Sequence, residues 1–351
     1  MKKLAKISIQ RLAAAVSFLC VFALLLTLAS NVLYPKDNSR EMGLHHPYTW
    51  GFYGEPKNSL DVIAIGNSDL YSAVSPMQMW KAHGFTSYVC GEPAIKILHA
   101  LNILQKVLAC QSPQLVILET DCLYAPSVRL ENALDLFMRN AFPVVEYHDR
   151  WKELSWQDFV RMPQYTQRME SKGFVISQEV KRLTYTADYM NTRTARDGLR
   201  RSTLLYLDRF VALCRERGIQ LLFVQVPSAN SWNQARHDAV LRYAQRNAIP
   251  FIDYNLLGKQ LGFDWNTDSR DGGNHLNYSG AKMVTQHLGQ YLAQQYRLTD
   301  HRGDSAYAQW DADYKAYAEQ VKKTARKGDR PGEAISPLPT PDHSKGKGAR
   351  S

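Results

Sequence analysis

Cysteine is scarce, with five in 351 residues and no pair at C-x-x-C spacing, so nothing suggests a structural zinc site. Internal repeats are absent, which removes solenoids and propellers. Apolar character is low outside one segment, and the mean hydropathy of −0.37 excludes a multi-span membrane protein. Charge is not extreme either. Hydrophobic residues make up 45% and charged residues 22%, a globular balance that excludes a wholly disordered or collagen-like chain. What is present in excess is positive charge: 43 Lys and Arg against 33 Asp and Glu, a net +10. Such a surplus suits nucleic acid, anionic lipid or an acidic polymer.

The first 35 residues choose among these. Lys2, Lys3, Lys6 and Arg11 precede an uncharged run over 12–33. As a helix that run covers roughly 30 Å, the thickness of a bilayer core. The basic flank of residues 1–11 stays in the cytoplasm, and the chain after Tyr34 faces outward. A cleaved signal peptide is the rival. Thr27-Leu28-Ala29 is a poor cleavage site and the run is long for a signal, which favours an uncleaved anchor. The expectation is a single-pass membrane protein with an extracytoplasmic body, for which nucleic acid is not a partner. Cys20 falls in the span. Cys90 and Cys122 each follow a strand-like run, so a disulfide between them is open.

Residues 34–58 are polar, carry Pro35, Pro47 and Pro56, and read as a stalk. A body over 59–297 then alternates strand and helix patterns. Strands are predicted at 61–65, 87–90, 115–118, 220–226 and 250–253. Helices are predicted at 94–110, 202–217, 231–247 and 280–295. The strands are apolar on both faces, as buried parallel strands are. Residues 125–195 break the rhythm and read as a helical insertion. The chain closes over 298–351 with an amphipathic helix near 304–324. A basic, Pro-rich tail follows; from Val321 on it has eight Lys or Arg against three Asp or Glu, and reads as disordered. The fold class is α/β, one doubly wound sheet of five parallel strands. Ligands then bind at the carboxyl ends of the strands.

Two loops at that edge carry chemistry. Gly66-Asn67-Ser68-Asp69-Leu70 follows the first strand and presents the Ser68 hydroxyl on a tight strand-to-helix turn. Turn chemistry alone also explains an Asn-Ser-Asp sequence. Asp271-Gly272-Gly273-Asn274-His275-Leu276-Asn277 precedes the last helix of the body. A serine hydroxyl needs a base to become a nucleophile, and an imidazole steadied by a carboxylate supplies one. The order Ser…Asp…His is that of a hydrolase.

The segment from Ile65 to Leu70 resembles the first block of SGNH/GDSL hydrolases, and Asp271 to Gly280 resembles their last block. The resemblance covers roughly 60–295 as an architecture and implies a flavodoxin-like three-layer α/β/α sandwich with no metal or organic cofactor. It implies Ser68 as nucleophile, His275 as base and Asp271 as the residue that orients it. Three residues separate Asp271 from His275 where the family has two, so Asp268 is a rival. The resemblance also places the amides of Ser68 and Gly91 in the oxyanion hole. The family's third block supplies an Asn donor, but here the third strand ends Glu119-Thr120-Asp121. An ionised carboxylate cannot donate. Either two amides suffice, or Thr120 or another side chain substitutes.

One N-terminal anchor, an outward SGNH-like body and a departing third block look like the DltD-type branch, whose members work beside a membrane-bound O-acyltransferase on D-alanyl esters of teichoic acid. Related outward-facing proteins acetylate exopolysaccharide. The implied partners are such an acyltransferase and an anionic or polysaccharide envelope polymer. Asp69, Asp121 and Trp232 are candidates for binding substrate; capping, a polar strand end and packing are their plainer explanations. Tyr147-His148-Asp149-Arg150-Trp151 looks like a piece of such envelope proteins, though a helix start with a packed Trp is the better explanation than a catalytic His148. The expected function is a serine acyl hydrolase or acyltransferase. The alternative is a non-catalytic module that binds an acyl carrier or anionic polymer and recruits the acyltransferase.

Overall fold

Runs of consecutive apolar residues need burial on both faces, and a sheet covered by helices on either side supplies it. The computed structural model describes residues 2–39, 42–125, 130–184, 188–191 and 198–328. In chain order the helices before the sheet are α1 (Lys2–Leu33) and α2 (Pro47–Trp50). Then come β1 (Val62–Gly66), α3 (Ser68–Ala73), α4 (Pro76–His83), β2 (Ser87–Gly91), α5 (Ile97–Val107) and β3 (Leu115–Glu119). The insertion holds α6 (Leu130–Ala141), α7 (Val144–Tyr147) and α8 (Trp156–Val160). The remainder is α9 (Arg201–Glu216), β4 (Gln220–Gln225), α10 (Gln234–Arg246), β5 (Phe251–Asp253), α11 (Tyr254–Leu261), α12 (Tyr278–Gln295) and α13 (Ala308–Gly328).

All five strands are parallel, in the order β2-β1-β3-β4-β5. Ile63, Ile65, Val116, Leu118 and Phe223 face the layer that includes α5, α9 and α10. Val62, Ala64, Ile117, Leu222 and Val224 face the layer that includes α3 and α12. Three layers result. The chain leaves β1 toward β2 on one side and returns to β3 on the other. That reversal opens a crevice at the carboxyl end of β1, where Ser68 stands.

Residues 34–58 are not a free stalk. Thr49, Phe52 and Glu55 are buried, and the Thr49 hydroxyl donates to the Gly91 carbonyl at 2.6 Å. The polar side chains there find partners inside the body. Lys172, fully buried, donates to Glu55 Oε1 at 2.8 Å and also pairs with Asp313 of α13. Trp310 of α13 packs on Trp80, 5.3 Å between ring centres, and Ser75 Oγ donates to Tyr317 at 2.9 Å. The segment through residue 328 therefore closes the body. The predicted tail from 329 lies outside the described residues.

Among the described residues the α-helices of the insertion lie in its first half. Residues 161–184 form no helix and run as a strap. Val89 donates to the Lys172 carbonyl (3.0 Å), Val175 to that of Tyr71 (2.8 Å) and Lys181 to that of Ser269 (2.8 Å). At Lys172 the strap thus covers the open edge of β2, which would otherwise invite pairing with another chain, and beyond it binds α3 and the loop at Ser269. No disulfide joins Cys90 and Cys122; both are buried free thiols. Within α1, Ile9–Leu33 is long and apolar enough to cross a membrane, with a hydropathy of 2.6.

Candidate active site

Ser68 is the first residue of α3. The Asn67 side chain caps that helix by accepting from the Asp69 amide at 2.8 Å. Asn67 also donates through Nδ2 to Asp121 Oδ2 at 2.7 Å, tying the turn after β1 to the end of β3. Gly66 is required by close approach, because a Cβ there would lie 2.5 Å from the Cβ of Glu119. Gly66→Ala is expected to cost about 1–3 kcal/mol through overpacking, read as a lower urea midpoint.

His275 arrives on the loop before α12. Ser269 Oγ gathers that loop, accepting from the amides of Gly273 (2.8 Å) and Gly272 (3.1 Å). Gly272 and Gly273 take left-handed φ values of 86° and 110°, and the chain doubles back. Asp271 Oδ1 then accepts from the amides of His275 (2.9 Å) and Asn274 (3.2 Å), and Asp271 Oδ2 bonds His275 Nδ1. On the other side of the ring, His275 Nε2 lies 2.7 Å from Ser68 Oγ. The structure brings Ser68, His275 and Asp271 into one chain of hydrogen bonds. Burial pushes the Asp271 carboxyl up, but the bonds from His275 outweigh it and hold it down at about 2. Asp268 is elsewhere: it is buried and accepts from the Asp264 amide at 2.8 Å, stabilising its own turn.

The other predicted residues divide. Asp69 lies at the centre, buried, with Oδ1 3.5 Å from His275 Nε2. Burial, then the charges of Asp121 and Glu119, raise its carboxyl well above the usual range. Glu119 is fully buried beneath the turn, accepts from the Asp121 amide at 2.8 Å, and is pushed up to about 8, first by burial and then by Asp121. Burial raises Asp121 as well, against the pull of Arg236.

Gly91 is near but turned away. Along β2 successive amides point to opposite sides. The Glu92 amide reaches back to the Gly66 carbonyl (3.3 Å), whereas Val89 bonds outward to Lys172. Gly91 shares the side of Val89, so its amide does not face Ser68. Thr120 is buried and its hydroxyl is spent on Gln225 Oε1 at 2.7 Å. Trp232 is buried and donates to Asp253 Oδ2 at 2.8 Å, so its ring is core and not a sugar platform. His148 is exposed, far from the site in role, with Asp149 at 3.6 Å.

Three neighbours escaped the sequence reading. Tyr71, one helical turn after Ser68, interacts with Ser68 and with Arg270. Arg270 directly precedes Asp271, so its charge is delivered by the same loop. Asn274 Nδ2 sits 3.2 and 3.3 Å from the two imidazole nitrogens, which places its amide over the ring face. The i, i+3 spacing of Ser68 and Tyr71 was the available signal. A separate cavity of about 650 Å³, lined by Tyr34, Trp50, Glu92, Lys106, Glu146 and Tyr147 among others, does not include Ser68. Among the described residues no cluster of His, Cys, Asp and Glu could hold a metal ion.

No family model and no curated protein matches the chain. Among solved structures it is similar to a GDSL-like lipase from Bacteroides thetaiotaomicron, at 14% identity over 67% of this chain and 88% of that one, TM-score 0.34. It is also similar to an acetyl xylan esterase, at 14% identity over 66% and 98%, TM-score 0.35. A third is TesA, at 10% identity over 66% and 97%, TM-score 0.36.

Proposed function

We propose that the chain is a serine acyl hydrolase or acyltransferase of the SGNH type, held at a membrane by α1 and acting on acyl esters of cell-envelope polymers. The observation that carries this reading is the Ser68–His275–Asp271 hydrogen-bond chain at the carboxyl edge of the sheet. The strand order supports a flavodoxin-like body. His275 Nε2 takes the proton as Ser68 Oγ attacks an ester carbonyl. The carbon–oxygen bond to the leaving group breaks, and His275 returns the proton to the departing alcohol. The acyl-serine then passes its group to water or to a polymer hydroxyl by the same steps in reverse. In this reading the Ser68 amide, at the start of α3, donates to the oxyanion.

The DltD-like branch, a membrane-bound O-acyltransferase as partner and D-alanyl or O-acyl transfer are finer parts of the same proposal. The outward Gly91 amide and the committed Thr120 hydroxyl favour one other reading, the non-catalytic module. Losing one oxyanion donor typically costs 10²–10³ in rate. Full-length protein in detergent, treated with a fluorophosphonate probe, separates the two. Wild type is expected to label and Ser68→Ala not to. Equal labelling, or none in either, counts for the binding module.

A further inference from the structure

We infer that the body rests on the outer bilayer surface through an apolar apron beside the exit of α1, in addition to the span itself. The inference rests on the reading of α1 as a membrane anchor. From Ile9 to Ala29 the helix is roughly 31 Å long at 1.5 Å per residue, which matches a hydrocarbon core of about 30 Å. Ser30 is where the body takes over. It is buried, and its Oγ accepts from the Val144 amide at 3.1 Å. Arg150 donates to the Leu33 carbonyl at 2.6 Å and to Asp158 of α8 at 2.9 Å. The Gln164 amide donates to the Lys36 carbonyl at 2.8 Å. The collar formed by α7, residues 148–152, α8 and the chain to Gln164 is therefore level with the bilayer surface.

That collar is where large apolar side chains lie bare. Trp151 is 63% exposed, Trp156 76%, Phe159 58%, Val160 63% and Met162 77%. Trp156 and Phe159 stack on each other, 6.2 Å between ring centres, so they form one patch. Asp158, between them in sequence, is buried against Arg150, which turns its neighbours outward. Lys152 lies 5.8 Å from the Trp151 ring. Tryptophan and phenylalanine beside an exposed Lys are the composition of a bilayer interface, where the rings enter the headgroup layer and the Lys152 ammonium meets lipid phosphate. Because the collar grips the end of α1, the apron and the span together set the body's tilt against the bilayer.

The chain carries seven tryptophans, none within α1, so quenching of tryptophan by lipid reports on the body alone. Full-length protein in nanodiscs of brominated phosphatidylcholine is expected to lose emission relative to unbrominated discs. Trp151→Gln with Trp156→Gln is expected to abolish most of that loss; both side chains are exposed, so the fold is kept. Wild type that stays in the discs with unquenched emission overturns the apron, as does a double variant quenched like wild type. Failure of the chain to enter discs overturns the anchor reading instead.

Discussion

Replacing His275 with alanine is expected to slow turnover of a p-nitrophenyl ester by about 10⁴–10⁶-fold while the melting temperature stays near that of wild type. The ring is held by groups that survive its removal: the Ser269 hydroxyl and the Asp271 carboxylate still accept from the loop amides. What is lost is the imidazole, with its bond to Asp271 and the proton acceptor 2.7 Å from Ser68 Oγ. Asp271→Asn is expected to cost on the order of 10⁴, because an amide can stabilise neither the required tautomer nor the imidazolium. Asp268→Asn, by contrast, leaves the hydrogen-bond chain intact and is expected to lower stability by about 1–2 kcal/mol with less than tenfold loss of rate. Steady-state rates beside thermal melts separate the two aspartates. Asp271, held down at about 2, is ionised from pH 4 upward, so it does not set the acid limb of the rate profile.

The contrast between the two aspartates shows where sequence stops. The blocks around Ser68 and His275 are readable because each needs a special local geometry: a Gly permitting close approach to Glu119, and a Gly pair permitting left-handed φ. The strands are readable because burial on both faces demands unbroken apolar runs. What decides between Asp268 and Asp271 is the Ser269 hydroxyl, which gathers three residues of backbone, and no composition or spacing announces that. Gly91 fails as an oxyanion donor through parity along β2, since one residue's shift would turn its amide inward. Trp232 sits at a strand end, the right place for a ligand platform, yet Asp253 needs its indole N–H. The insertion reads as helical throughout in sequence, yet residues 161–184 form no helix, because their role as an edge cover depends on β2 being the edge strand. The polar segment 34–58 misleads most, because its charges and those of the strap and α13 neutralise one another inside the body.

Lys172→Met is the sharpest test of that interior pairing, with an expected loss of about 3–5 kcal/mol. Lys172 Nζ lies 2.8 Å from Glu55 Oε1, pairs with Asp313 and sits 4.6 Å over the Trp310 ring. Arg168 remains within 3.0 Å of both carboxylates but is partly exposed. Without Lys172 it must compensate two buried negative charges alone. The pH dependence follows from Asp313. Burial acts most strongly and raises its carboxyl, but the charge and hydrogen bond of Lys172, with Gln309 and Arg168, together outweigh it and hold it low. A depressed folded value contributes stability above the unfolded carboxylate range, near 3.9, and that contribution is lost as pH falls through the folded value. In the variant that opposition weakens and the carboxyl rises, so the stability contributed above the unfolded carboxylate range is lost. The gap between wild-type and variant melts is therefore expected to be wider at pH 8 than at pH 5. Adding Glu55→Gln to the variant removes one stranded charge and is expected to recover part of the loss. A gap independent of pH would mean that packing around the Lys172 stem, and not its charge, holds the strap against β2.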